Sequence, residues 1–343
     1  MKITNELVEK IYAGIKTSTD NKPRSHLGAS IIGHSCDRWL WFSFRWIARE
    51  DFDGRMLRLF RRGQDEENPL IADLRNAGLK VTNIDQKTKR QYSFKDGFFA
   101  GSMDGIIESG VPEAPIKPHI LEIKTHSKKS FDALEKDGVE KSKPMHFAQM
   151  QVYMGATETD RALYVAVCKD DDRIYTERVR FDKEVFEALT KRAQRIIASD
   201  RMPEPLSTDS TWFECKFCAA HAICHKGVIA QEVHCRSCSH VTFLREGKAH
   251  CQHWDAQIPT DAQIAGCDHH IIHPDLVPFP MHIEDGMVSW KVGDVLVRNG
   301  EVERDVFSSA EILADAKACA SVIGDEFAKQ ARVEFNARIV RTQ

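Results

Sequence analysis

Asp104, Glu122 and Lys124 are residues whose types and spacing could do chemistry together. Glu122 and Lys124 stand two apart in HILEIKT, a run with the composition of a strand. On a strand, positions i and i+2 project to the same face. Glu122 and Lys124 therefore point one way, and Leu121 and Ile123 the other. Asp104 lies on a second strand-type run, FFAGSMDGII. Antiparallel pairing of the two runs would bring it to the same place. Neighbouring carboxylates repel and raise each other's pKa, and a divalent cation removes that penalty. Oxygen donors of this kind suit Mg2+ or Mn2+. A cation held there lowers the pKa of a water and neutralises charge on a phosphate, while a lysine places the water. The chemistry implied is metal-dependent phosphodiester hydrolysis.

Other elements must position these side chains. Residues 4–17 read as an amphipathic helix with Leu7, Ile11 and Ile15 on one face. Ser35 is placed to cap a second helix, with Trp39, Phe42 and Trp46 on its apolar face and Cys36 in its first turn. A long helix over 54–79 is expected to bend near Gly63 and Pro69. Arg55, Arg58, Arg61 and Arg62 lie on it at helical spacing, as a solvated face or a phosphate-contacting one. LKVTNID and RQYSFKD are strand-type runs. A basic stretch with Lys128 and Lys129 follows Lys124 and leads into a lysine-rich loop ending at Pro144. The next run, PMHFAQMQVYMGAT, is helical in pattern and puts Gln149 and Tyr153 on one face. RALYVAVC and RIYTERVRFD read as a hairpin turning at Asp170, Asp171 and Asp172, and residues 182–199 as a helix. This order suits an α/β fold, a mixed central sheet flanked by helices.

The chain has ten cysteines. With no signal-peptide pattern at the N-terminus, these read as a reducing, cytoplasmic setting and as metal ligands rather than disulfides. Cys215, Cys218 and Cys224 follow the Pro-rich stretch 203–205 in the spacing C-x2-C-x5-C, one thiol short of a four-thiolate site. Cys36 is the natural fourth, because its segment and this one bracket the central region. Thiolates suit an iron–sulfur cluster or Zn2+, and the spacing alone does not decide. Cys235, Cys238, Cys251 and Cys267 form a second set, with His253, His269 and His270 as alternative ligands; a Zn2+ there would stand in for a core too small to hold itself. Cys168 and Cys319 read as packing residues. The tail carries a hairpin or small sheet with turns at Asp285-Gly286 and Asn299-Gly300, then a final helix capped by Ser308 or Ser309. The net charge of −3 is neutral on nucleic-acid binding, so any contact with DNA would come from local patches. No apolar run is long enough to span a membrane.

Taken in order, these motifs resemble a known superfamily. Asp104 followed by Glu122-Ile123-Lys124 resembles the PD-(D/E)XK nuclease signature, with Met103 where that family usually has proline. Gly63 and Glu67 resemble the GxxxE segment of its RecB-like branch, uncertain by one position because Glu66 is adjacent. Gln149 and Tyr153 resemble the QxxxY element. One cysteine before the core and three after it resemble the [4Fe–4S] clasp of RecB-like nucleases, CRISPR-associated members included.

The resemblance implies a restriction-endonuclease-like fold with an iron–sulfur clasp and a small C-terminal zinc-binding module. It divides the chain into an N-terminal helical segment (1–53), the nuclease core (54–202), the clasp (203–228), the zinc module (229–275) and a terminal hairpin and helix (276–343). Asp104, Glu122, the Ile123 carbonyl and Glu67 would hold Mg2+ or Mn2+, and Lys124 would orient water. Gln149 and Tyr153 would hold the scissile strand, while the arginine stripe, Lys128 and Lys129 would guide the backbone. The implied activity is a DNA exonuclease acting at free ends in recombination or end processing. A structure-specific or restriction-like endonuclease and a metal-cluster DNA-binding protein without activity are the alternatives. Cysteine-rich modules after a nuclease core look phage-like, which implies a host cytoplasm and a single-strand annealing protein as partner.

Overall fold

The computed structural model describes residues 5–20, 22–47, 50–285 and 287–340. Thr4, where the first helix was expected to start, and Gly286, in an expected turn, lie outside the described residues. The chain packs as two compact units, Met1–Ser35 with Glu50–Arg195, and Cys36–Arg49 with Ile196–Gln343. This division cuts across the five expected segments, because the segment beginning at Cys36 groups with the C-terminal half.

The first unit is built on a five-stranded sheet: β1 (Lys80–Thr82), β2 (Gly105–Ser109), β3 (His119–His126), β4 (Arg161–Cys168) and β5 (Ile174–Arg180), hydrogen-bonded in that order. Neighbours are antiparallel except β3 and β4, which run parallel from Ile120↔Ala162 to His126↔Cys168. A parallel pair needs a crossover. Helices supply it, so the mixed sheet expected from the sequence is present. The helices of this unit are α1 (Glu6–Ser18), α2 (Gly54–Asp65), α3 (Glu67–Asn76), α4 (Lys128–Ser142), α5 (Pro144–Ala156) and α6 (Lys183–Ala198), the last running past the unit's end at Arg195.

The two faces of β3 differ in chemistry. Leu121 and Ile123 join Leu163, Val165 and Val167 of β4, Ile107 of β2, and Leu70 and Ile71 of α3 in one buried apolar cluster. Glu122, Lys124 and His126 alternate with them and face the other way. The apolar face fixes the register, since a slip of one residue would bury the charged set in that cluster.

Several expectations are corrected. Residues 54–79 form two helices that part at Glu66, rather than one bent at Gly63 or Pro69. Pro69 sits in the first turn of α3, where a missing N–H costs nothing. The lysine-rich stretch before Pro144 is not a loop but α4, which buries Phe131, Leu134 and Val139. Gly138, at φ +73°, kinks that helix and lets Val139 N–H reach Glu177. The run FFAGSMDGII is two strands, Phe99–Ser102 in a small three-stranded sheet and β2 in the large one. Asp104 lies in the bend between them.

In the second unit, Cys36 rather than Ser35 caps the helix Asp37–Phe44, its sulfur accepting Trp39 N–H at 3.4 Å. Trp46 falls beyond that helix, at φ +59°. The cysteine-rich region holds short helices Phe213–Lys216 and His221–Lys226, then an antiparallel sheet of β6 (Val241–Leu244), β7 (Lys248–Cys251) and β8 (Ala256–Ile258). Two buried arginines join the Cys36 segment to this sheet. Arg236 donates to Phe44 O at 2.7 Å and stacks on Trp46 and Phe243, and Arg45 stacks on Trp41 and Phe243. Cation–π contact and hydrogen bonds stand in for solvation there.

The tail sheet is β9 (Met281–Glu284), β10 (Met287–Val292), β11 (Val295–Asn299) and β12 (Val306–Phe307). Its second hairpin turns at Gly293-Asp294, not Asn299-Gly300, and β12 pairs parallel with β11. The final helix is two, α7 (Ser309–Ile323), capped by Ser308, and α8 (Glu326–Glu334), capped by Asp325. Among the described residues no helix is long and apolar enough to cross a membrane.

Candidate functional site

The structure brings Asp104, Glu122, Lys124 and Glu67 together in the first unit. Gly105 pairs with Leu121, which sets the preceding residue, Asp104, against the middle of β3. There Asp104 Oδ2 accepts the Ile123 N–H at 2.7 Å. Glu122 is fully buried. Its Oε1 accepts from Lys124 Nζ, while its Oε2 is buried with no hydrogen-bond partner. Lys124 Nζ also donates to Ile123 O at 3.2 Å, and its side chain keeps 27% of its exposure.

The electrostatics follow from this crowding. Burial pushes the Glu122 carboxyl up to about 7; Lys124 opposes the rise, and Asp104 and Glu67 add to it. Burial alone would lower Lys124, but Glu122 and Asp104 more than reverse that and hold its ammonium above the usual range. Glu67, at the start of α3, is raised by burial and then by Asp104. That coupling puts Glu67 in the electrostatic neighbourhood of Asp104 and Lys124.

A carboxyl group with one buried, unpartnered oxygen and two acidic neighbours fits a hard divalent cation, which would favour its ionised form. The carbonyl of Ile123 is a further oxygen at the same place. Among the described residues no three His, Cys, Asp or Glu side chains stand close enough, as placed, to hold an ion.

Gln149 and Tyr153 share one face of α5, and both are buried. Gln149 Nε2 donates to Tyr153 OH at 3.0 Å, and Tyr153 OH donates to Ser102 O at 2.7 Å, two residues from Asp104. Burial raises the Tyr153 phenol, with Glu122 adding to it, which places the pair within the field of the carboxylates. Arg55, Arg58, Arg61 and Arg62 are exposed on α2, and Arg62 donates to Lys169 O at 3.2 Å. Lys128 is exposed and pairs with Asp132 at 2.8 Å, so its charge is partly matched; Lys129 is exposed beside it.

The sequence patterns did not single out His126, His146 and Tyr164, which the fold places beside this group. His126 lies two residues after Lys124 on the same face of β3, and His146 lies three before Gln149 on α5. Those periodicities were the available signal.

In the second unit Cys36 and Cys218 lie in the electrostatic neighbourhood of Cys224, and the second cysteine set lines a cavity of its own. Burial raises the Cys224 thiol, and the neighbouring Cys218 and Cys36 add to that. Cys218 Sγ accepts the Ala220 N–H at 3.4 Å, as Cys36 Sγ does from Trp39. Cys215 is buried, with Cys218 N–H on its carbonyl. Cys235, Cys238, Cys251 and Cys267 line one cavity with His240, His253, His269 and His270. Burial, then Cys238, Cys267 and Cys251, push the Cys235 thiol up to about 12. Thiols so crowded resist ionising unless a cation shares the space, so the donor chemistry fits a thiophilic ion. His270 Nε2 is bonded to Ser237 Oγ at 2.9 Å, and His269 Nδ1 lies 2.8 Å from Glu301.

No family model and no curated protein matches the chain. Solved structures similar to it include a protein designated SSO0001, at 16% identity and TM-score 0.38, over 65% of this chain and 96% of that one. An alkaline exonuclease from Laribacter hongkongensis is 19% identical at TM-score 0.35, over 55% and 91%. A phage-related exonuclease from Haemophilus somnus 129PT is 18% identical at TM-score 0.29, over 40% and 68%.

Proposed function

We propose that the chain is a Mg2+- or Mn2+-dependent deoxyribonuclease of the PD-(D/E)XK type that acts on DNA ends as an exonuclease. The observation that carries this reading is the buried Glu122, with one oxygen on Lys124 and the other unpartnered, facing Asp104 and Glu67. A salt bridge serving stability alone would have both oxygens satisfied. When bound, the cation would neutralise charge on the scissile phosphate and acidify a water. Asp104, Glu122 and Glu67 would hold it, with the Ile123 carbonyl alongside. Lys124 keeps its proton, directs the attacking water and meets the negative charge that develops on the phosphoryl oxygens. Gln149 and Tyr153 hold the strand, and the arginines of α2 guide its backbone.

In the second unit, Cys36, Cys215, Cys218 and Cys224 are the proposed ligands of a [4Fe–4S] cluster, with Zn2+ as the alternative. Cys235, Cys238, Cys251 and Cys267 are those of a structural Zn2+. Both would brace the unit. A phage origin, a place in recombination and an annealing-protein partner belong to the same proposal and rest on the sequence resemblance.

The test is digestion of linear and closed circular duplex, end-labelled on either strand, with Mg2+ and with EDTA. Metal-dependent loss of label from linear DNA alone is expected. Cutting of closed circles would replace the exonuclease reading with an endonuclease. Binding without cutting would leave a DNA-binding protein.

A further inference from the structure

Beside the carboxylates lies a hydrogen-bonded chain that the proposed chemistry has not used. Ser130 Oγ lies 3.2 Å from His126 Nδ1, and His126 Nε2 lies 2.8 Å from Tyr164 OH. The same hydroxyl lies 2.8 Å from His146 Nδ1. Tyr164 is fully buried, His126 nearly so, and His146 half-buried. A phenol has one proton, so it donates to one of these imidazoles and accepts from the other. The hydrogen-bonded chain can run in either of two directions; in the one where Ser130 donates to His126 Nδ1, His126 donates from Nε2 to Tyr164, and Tyr164 donates to His146 Nδ1. In that direction His146 is left with its proton on Nε2, the ring nitrogen this hydrogen-bonded chain does not use.

The place of this donor follows from the fold. His146, Gln149 and Tyr153 stand at i, i+3 and i+7 on α5, on one face of the helix. Tyr164 is the β4 partner of Glu122. Lys143, half-buried, precedes His146 by three residues, just before α5 begins. Burial, then Lys124, His126 and Lys143, hold the His146 imidazole down at about 3, so it is neutral near pH 7. The same influences identify Lys124 and Lys143 as its charged neighbours, and burial lowers Lys143 itself. A neutral N–H donor with two ammonium groups in its electrostatic neighbourhood can seat an anion.

We propose that His146 and Lys143 bind a phosphate of the DNA strand adjacent to the scissile one, and that Tyr164 and His126 fix the imidazole as an Nε2–H donor to it. The proposal rests on the nuclease reading for the identity of its ligand, a phosphodiester. His146 and Lys143 touch that ligand, whereas Tyr164 and His126 are positioning residues.

The experiment is a methylphosphonate scan, in which single phosphates along an oligonucleotide duplex are made neutral one at a time. Equilibrium affinity is read in Ca2+, and cleavage is read separately in Mg2+. His146→Ala is expected to weaken affinity for unmodified DNA about tenfold to a hundredfold, the size of one hydrogen bond to a charged group. His146→Gln, which keeps an N–H donor, should recover part of the loss, and Tyr164→Phe should lose less than His146→Ala. At one position, methylphosphonate should weaken wild type by a similar factor and His146→Ala by little more, the non-additivity of a direct contact. Unfolding midpoints identify any variant that fails to fold, and His146→Gln then carries the test. Wild-type affinity in both His146 variants, or independent multiplication of the two effects at every position, would overturn the proposal. The cleavage arm judges the nuclease reading alone, since absence of cutting by wild type sinks that reading while the affinity scan still tests the seat.

Discussion

Replacing Glu122 with Gln tests the site most directly, because the structure sets the size of the effect. The carboxyl is held at about 7 against an ordinary 4.5, mainly by burial. Keeping it ionised in the folded protein without a cation therefore costs about 3 kcal/mol, from about 1.4 kcal/mol per pKa unit. The folded value is the raised one, so the cost is absent below pH 4.5, grows as pH rises and is essentially complete above about 7. A divalent cation on the unpartnered oxygen offsets it. At about 10 mM Mg2+ and a Kd on the order of 1 mM, mass action gives about 1.4 kcal/mol. That corresponds to a rise of about 3–6 °C in the unfolding midpoint of a unit this size. Differential scanning fluorimetry with Mg2+ and with EDTA, at pH 8 and pH 5, is the assay. Wild type should gain most at pH 8. Glu122→Gln should keep less than half of that gain and lose cleavage. Lys124 loses its charged partner in this variant, so each protein is compared with itself in EDTA. An equal Mg2+ increment in the two proteins, or cleavage surviving the substitution, would refute the reasoning.

Three further outcomes are expected. Tyr153→Phe removes the hydroxyl that joins Gln149 to Ser102 O, and urea unfolding should show a loss of about 1–3 kcal/mol together with slower cleavage. Gly101→Ala puts a Cβ 2.8 Å from the Tyr153 ring, so it should slow cleavage through the tyrosine's position, and wild-type turnover would count against that geometry. Arg332→Met leaves Glu311 buried without the guanidinium that pairs with it and also donates to Val306 O. It should destabilise the second unit by about 3–5 kcal/mol, read by thermal unfolding, with cleavage per folded molecule unchanged.

The sequence by itself determined what is local. The i, i+2 rule put Glu122 and Lys124 on one face of β3 opposite Leu121 and Ile123, because strand periodicity holds whatever the neighbours are. Helical periodicity likewise put Gln149 beside Tyr153, and cysteine spacing picked out Cys235, Cys238, Cys251 and Cys267, which line one cavity. Local signals were weaker at element ends. The lysines of α4 read as a loop because Phe131, Leu134 and Val139 earn their helix only by burial. The break at Glu66 and the turn at Gly293 were missed because boundary signals are the weakest in a sequence.

Only the tertiary structure brings Glu67, from the start of α3, into the electrostatic neighbourhood of Asp104 and Lys124, since a helix face acquires meaning from what it packs against. It moved Asp104 off a strand and into the bend that hands the chain from one sheet to another. It also set His126, Tyr164 and His146 in one hydrogen-bonded line from β3, β4 and α5. No spacing rule joins those three residues. They meet because β3 and β4 pair in parallel and the crossover between them lays α5 across the polar face of the sheet.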